Sequence, residues 1–417
     1  MRCTARDLRT GKGDLHGITA DLPGPGCRRH GTDCGRGRPG IEKKRQTEKQ
    51  SNLKRRAGQS NMKRLDLAII GQGRSGKNIH GAFYRSDANR SFNVRYVVDA
   101  DAVSRERAKE LYPGCETLAD YRLLFGKKGV DLVVNASYSD MHYSVTKDLL
   151  RHGLNVLVEK PFARNRWECE DLIRTAGENG VLLAVFQQTF LAPFYLKAKS
   201  VADSGLLGRI EQINIRYSGY ARRWDWQTTQ KRMGGSTYNT GPHPIGLALG
   251  FLDFDPLAKV VYSRLDTAIT SGDAEDYSKI LITAPGKPLV DIEMSAVDPY
   301  STHNLQITGT RGALRATTSK YELKYWVEDE NPPRPVVHET LRNADHEPVY
   351  CGEKLIWHEE SGEFTGTAFT TAVYAFYENL YRALTEKAPL AVPPEKVADI
   401  IGVIEKVHAD NPLPVRF

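Results

Sequence analysis

From residue 65 onward, short unbroken apolar runs alternate with stretches in which apolar residues recur every three or four positions. "LDLAIIG", "FNVRYVVDAD", "VDLVVNAS", "LNVLVEK" and "VLLAVFQQ" have the length and continuity of strands buried on both faces. Between them, "SRERAKELY" and "HYSVTKDLLRHG" carry helical periodicity. This alternation predicts a doubly wound parallel sheet with helices on both faces. Past residue 188 the pattern changes. "IEQINIRYSGY", "AKVVYSRL", "YSKILITA", "LVDIEMSAV", "NLQITGT" and "YELKYWV" alternate and are rich in β-branched and aromatic residues, predicting a second sheet. Helices are predicted over "FYLKAKSVADSG", "TTAVYAFYENLYRALTEK" and "PPEKVADIIGVIEKVHAD", the last with Pro393 or Pro394 at its start.

The first 61 residues lack this patterning. They hold 15 Lys or Arg against 6 Asp or Glu, a net +9, whereas the whole chain carries +7, which leaves −2 for the rest. The basicity therefore sits in a leader poor in aromatics, for which disorder is the expectation. It gives no support to nucleic-acid binding by the body. A translation start at Met62 would account for the leader. Cys27, His30 and Cys34 have poor spacing for zinc, and no metal site is expected. The scattered Cys115, Cys169 and Cys351 fit a reducing cytoplasm. No apolar run approaches a membrane span. The expected organisation is thus a leader (1–61), a nucleotide-binding domain (62–188) and a second α+β domain (189–417).

Chemistry enters at the end of the first strand. Gly71, Gly73 and Gly76 make the G-x-G-x-x-G spacing between a predicted strand and a predicted helix. The first permits a tight turn, the second lets a pyrophosphate approach the backbone, and the third lets helix pack on strand. Arg74 and Ser75 share that loop, whose amides would face phosphates. Asp99 ends the second strand, where a carboxylate can bind ribose hydroxyls and repel a 2′-phosphate. It therefore favours NAD over NADP, unless it is only a turn residue. "EKPFA" (159–163) ends a further strand, at the edge where open α/β sheets bind ligands. Lys160 there is either a ligand-facing ammonium or a surface lysine.

Together with "ASYSDMH" (136–142) and "GGSTYNTGPH" (234–243), these segments resemble the Gfo/Idh/MocA oxidoreductases. The resemblance covers essentially all of residues 62–417. It implies a Rossmann domain binding NAD or NADP, an open and mostly antiparallel sheet in the second domain, and hydride transfer at a sugar or polyol carbon. It places the family's catalytic lysine at Lys160 and its catalytic histidine at His243. The usual aspartate four residues earlier is Asn239 here. Gln187, Gln188, Thr189 and Phe190 stand where an Asn-Arg-Arg-Phe-like segment is common. Ser137, Tyr138 and Ser139 replace a Thr-Pro-Asn-like turn. Cofactor contacts are expected from Gly71, Gly73, Arg74, Ser75, Gly76, Asp99, Ser137, His142, Glu159 and Lys160.

Oxidising a secondary alcohol requires a base for the hydroxyl proton, and a histidine near its ordinary pKa suits that role near neutral pH. An ammonium stabilises developing alkoxide charge. His243 and Lys160 supply these functions. Asn239 either bonds the imidazole or hydroxyl, or caps the local helix. Gln187 and the stretch "YSGYARRWDWQ", with Tyr220, Arg222, Arg223, Trp224 and Trp226, are candidate substrate contacts, although the stretch would also suit a subunit interface. The leading expectation is an NAD-dependent dehydrogenase of a sugar, polyol or glycoside. The alternatives are an NAD-retaining glycosidase working by transient oxidation and elimination, and a non-catalytic nucleotide sensor. A small carbohydrate partner and a homo-oligomer, dimer or tetramer, are expected.

Overall fold

The computed structural model describes residues 63–417. Cys27, His30, Cys34 and the rest of the basic leader lie outside the described residues. Six short strands, β1 (Leu65–Ile70), β2 (Phe92–Val98), β3 (Glu116–Leu118), β4 (Leu132–Asn135), β5 (Val156–Val158) and β6 (Leu183–Val185), form a parallel sheet in the order β3-β2-β1-β4-β5-β6. Strand order reverses beside β1, so a crevice opens at the carboxyl ends of β1 and β4. Both faces are covered, which is why β4, β5 and β6 are buried at every position. Helix Ala102–Leu111 is capped by the Asp101 carboxylate and helix Arg166–Glu178 by the Asn165 side chain. The glycine turn runs into a π-helical segment, Arg74–His80, continued by the short helix Gly81–Tyr84.

The second sheet has eight strands: β7 (Ile210–Ser218), β8 (Lys259–Asp266), β9 (Tyr277–Thr283), β10 (Leu289–Ser295), β11 (Leu305–Gly309), β12 (Gly312–Ala316), β13 (Lys320–Tyr325) and β14 (His358–Glu363). Their order is β14-β13-β12-β11-β7-β10-β9-β8, antiparallel throughout except for the β7–β10 pair. One face of β9 and β10 buries Ile280, Ile282, Val290 and Ile292 against a core shared with helix Pro242–Phe251 and the first sheet. Helix Thr371–Glu386, which the sequence pattern groups with the second half, packs on the first. Its Tyr377 is fully buried and stacks on Phe83 at 4.3 Å, within an aromatic group that includes Tyr84 and Phe92. No helix among the described residues is long and apolar enough to cross a membrane.

Candidate active site

The three glycines divide their work. Gly71 has a φ of +88°, and a Cβ on it would lie 2.4 Å from the Ala136 carbonyl oxygen. A Cβ on Gly76 would fall 1.9 Å from the Gly71 oxygen, so helix and turn touch through hydrogen alone. Gly73 meets nothing within 4 Å. Packing explains the first and third glycines. The second faces open space, as a turn built for the close approach of a pyrophosphate requires. Arg74 is exposed and Ser75 half-buried beside it.

Asp99 is tied into this turn. Its two carboxylate oxygens accept the main-chain N–H groups of Gln72, at 2.7 Å, and Asp101, at 2.9 Å. Arg105 donates to the carbonyls of Asp99 and Ala100, 2.8 Å each. The carboxylate thus locks the end of β2 to the glycine turn and keeps lone pairs for a ribose.

At the ends of β4 and β5, several expected cofactor contacts are engaged by protein groups. His142 is buried, with Nδ1 2.7 Å from the Pro161 carbonyl and Nε2 3.2 Å from that of Ser137. Both ring nitrogens are committed to the main chain, and burial pulls its pKa down. The Ser137 hydroxyl donates to Asn135 Oδ1 at 2.7 Å. Glu159 is only 3% exposed and accepts the main-chain N–H of Lys160 at 2.9 Å. Gln187 is fully buried and its amide donates to the Pro242 carbonyl, so it holds the start of the His243 helix and is withdrawn from substrate.

Lys160 reaches across the crevice. Its Nζ donates to the main-chain oxygen of Asn239 at 2.7 Å. Burial pushes its pKa down against the opposing charge of Glu159, and Arg74 and Arg223 push the same way as burial. Glycine turn, lysine motif and the loop after β7 therefore converge on one ammonium.

Asn239 and His243 do not share a helical turn as their spacing suggested. Pro242 has no N–H with which to continue helix Ser236–Asn239, and a new helix, Pro242–Phe251, begins with it. The Asn239 side chain turns away from the imidazole, its Oδ1 accepting from Gln227 Nε2 at 3.0 Å. His243 Nδ1 instead meets the Thr189 hydroxyl at 2.7 Å. A base needs Nε2 bare, and Thr189 accepting from Nδ1–H provides that tautomer. Although the residue keeps one side open, burial and then the Lys160 charge pull its pKa down to about 3. The imidazole is a weaker base than its ordinary pKa suggested, and it is neutral at any physiological pH.

Gln227 also accepts from Arg223, which pairs with Asp225 at 2.6 Å. Arg223, Gln227, Asn239 and Thr240, with Tyr217 and Glu275 behind them, line a cavity of about 210 Å³. Of the other aromatics and arginines in this loop, Trp224 and Tyr220 are 82% and 61% exposed and Arg222 is exposed too, away from the cavity lining. Trp226 meets Tyr138 edge-on at 5.0 Å, and Arg232 pairs with Asp140 at 3.0 Å. Sequence reasoning gave no role to Thr189 or Gln227, although both stood in stretches it singled out.

Comparison with known proteins bears on the same residues. Residues 65–187 match the family described as "Oxidoreductase family, NAD-binding Rossmann fold", and residues 195–315 match the "GFO/IDH/MocA C-terminal domain". The chain belongs to the Gfo/Idh/MocA oxidoreductase family. Membership makes it an NAD-binding Rossmann oxidoreductase, a dehydrogenase acting on CH–OH groups. Among relatives of this Gfo/Idh/MocA protein, the scyllo-inositol 2-dehydrogenase (NADP(+)) IolW of Bacillus subtilis is 22% identical over 84% of this chain and 94% of its own. The inositol 2-dehydrogenase of Rhizobium meliloti is 24% identical over 61% of this chain and 76% of its own. In fold it is similar to GenD2 from gentamicin A biosynthesis, solved in complex with NAD, with a TM-score of 0.66 at 20% identity over 84% of this chain and 96% of that one.

Proposed function

We propose that the protein is an NAD-dependent dehydrogenase of a cyclitol, sugar or glycoside secondary alcohol, with His243 as base and Lys160 as its electrostatic partner. One observation carries this reading: Lys160 Nζ is tethered to the segment Ser236–Asn239 while His243, a few residues on, has Nδ1 held by Thr189 and Nε2 unpaired. A bound nicotinamide supplies the hydride acceptor. The chain's own residues manage the hydroxyl. Lys160 offers its ammonium to the oxygen and stabilises negative charge as it develops. His243 Nε2 takes the proton, and Thr189 holds the ring in the accepting tautomer. Gln227 and Arg223 line a cavity of about 210 Å³ that neither Lys160 nor His243 lines but that adjoins Lys160 through Asn239, and from there they offer an amide and a guanidinium to neighbouring hydroxyls.

NAD is the preferred nucleotide in this reading, because the Asp99 carboxylate would stand against a 2′-phosphate. The protein works as a homo-oligomer in the cytoplasm. Replacing Lys160 or His243 by alanine tests the assignment. Each change lowers turnover by about a hundredfold or more while NAD binding is kept. Near-normal turnover in either variant removes that residue from the mechanism.

A second reading keeps the nucleotide bound through oxidation, elimination of the aglycone, addition of water to the enone and reduction, so that a glycoside is cleaved without net NADH. The contacts between Tyr138 and Trp226 and between Asp140 and Arg232 favour it, since they join the two halves beside the crevice. Aglycone release without NADH accumulation would select it.

A further inference from the structure

Next to Lys160, around Glu159, lies a buried set of polar groups that the reaction does not use. His80 is fully buried. Its Nδ1 is 2.6 Å from the Tyr377 hydroxyl, and its Nε2 is 3.1 Å from Glu159 Oε1, an ion-pair distance without the alignment of a hydrogen bond. Tyr84 donates to the Tyr377 oxygen at 2.7 Å. The Tyr377 proton is then left for His80 Nδ1, so that Nε2 is the nitrogen facing Glu159. The second carboxylate oxygen accepts the main-chain N–H of Lys160. We propose that Tyr377, His80 and Glu159 form a positioning relay for Lys160, which anchors its main chain and sets a permanent negative charge behind its ammonium.

Three features support the relay. Glu159 sits at 3% exposure, where a lone carboxylate would be costly, yet its contacts with His80, Lys160 and His142 outweigh burial and hold its pKa at about 2. Lys160 is half-buried and faces the cations Arg74 and Arg223. Among the described residues, Glu159 is the charge that favours its ammonium, and the neutral His243 also flanks it. Finally, Tyr377 belongs to helix Thr371–Glu386, so the relay ties the docking of that helix to the state of a residue on β5's end. Tyr377 is a positioning residue that acts through two others.

The inference rests on Lys160 being the reacting lysine of the proposed function, but its test does not need turnover. The pH dependence of Lys160 reactivity is read by trace labelling with an amine-selective reagent and mass spectrometry, since only the free amine reacts. Glu159→Gln keeps the size and one acceptor oxygen for the Lys160 N–H but removes the charge, so the midpoint falls by about one pH unit. Tyr377→Phe removes one hydroxyl and keeps the ring stacked. Nδ1 then loses its donor, the His80 ring is free to turn away from Glu159, and the carboxylate is held less firmly behind Lys160. The midpoint moves the same way by a smaller amount. An unmoved midpoint in folded Glu159→Gln overturns the proposal. If that variant does not fold, an unmoved midpoint in Tyr377→Phe does so. A shifted midpoint in a protein that oxidises no alcohol would sink the dehydrogenase reading and leave the relay standing.

Discussion

Replacing Gly76 and Gly73 by alanine, one at a time, separates the folding role of the glycine turn from its ligand role. A Cβ on Gly76 would lie 1.9 Å from the Gly71 oxygen and 3.0 Å from its carbonyl carbon. Only main chain can yield there, and it must yield by about 1 Å or more to restore an ordinary contact. Overpacking of this kind costs about 1–3 kcal/mol. For a chain of this size that is a fall in Tm of about 2–6 °C. Gly73 is the opposite case. Its φ of −70° is ordinary for any residue, and a Cβ there meets nothing within 4 Å. Gly73→Ala leaves the fold as stable or raises it by about 0.4–1 kcal/mol, because the unfolded chain loses freedom. The new methyl takes the space a pyrophosphate needs, so NAD affinity falls about tenfold or more, or about 1.4 kcal/mol. Thermal melts and calorimetric titration with NAD read both quantities. Unchanged affinity in Gly73→Ala, or an unchanged Tm in Gly76→Ala, refutes the reasoning.

Three further outcomes follow from the site. Asp99→Ser narrows the preference for NAD over NADP by removing a charge near the 2′-position, and it lowers Tm because Gln72 and Asp101 lose their acceptor. Equal affinity for NAD and NADP in the unaltered protein contradicts that reading. With the His243 pKa at about 3, the base is already neutral, so kcat/KM stays level from pH 7 down to about pH 5. The same depressed pKa stabilises the fold fully above about pH 6.5, the unfolded value, and that contribution is lost as pH falls towards 3. An acid limb near pH 6.5 that is absent in a His243 variant with residual activity would contradict this. Asn239→Asp retains the Gln227 bond and adds a negative charge on the residue whose carbonyl holds Lys160. The lysine pKa rises, the alkaline limb of the rate profile moves to higher pH, and the acid side moves less. An unmoved alkaline limb counts against it.

The parallel sheet was legible because strands buried on both faces leave continuous apolar runs. Three strands escaped notice: β3 is three residues on an edge, β12 is the five-residue "GALRA" with only Leu314 and Ala316 buried, and "HEESGE" in β14 has no apolar position at all. The glycine turn, Lys160 and His243 could be placed from spacing and resemblance. What surrounds them could not. That Thr189, not Asn239, orients His243 depends on Pro242 breaking the helix between them. Glu159, His142 and Gln187 looked like ligand contacts because they stand beside the motif residues, but burial turns them into its supports. Tyr377 lies 297 positions from His80 in the chain, a pairing that no local pattern encodes. The lowered pKa of His243 likewise comes from packing and from a lysine on another strand's end.

The central claim, that Lys160 and His243 act on one alcohol beside a nicotinamide, is tested most directly by following NADH formation. The protein and NAD are mixed with a panel of inositols, sugars and glycosides, with Lys160→Ala in parallel and aglycone release monitored. NADH accumulating with at least one polyol or sugar, and falling about a hundredfold or more in Lys160→Ala, is the predicted result. Tight NAD binding with neither NADH nor aglycone from any member of the panel would contradict it.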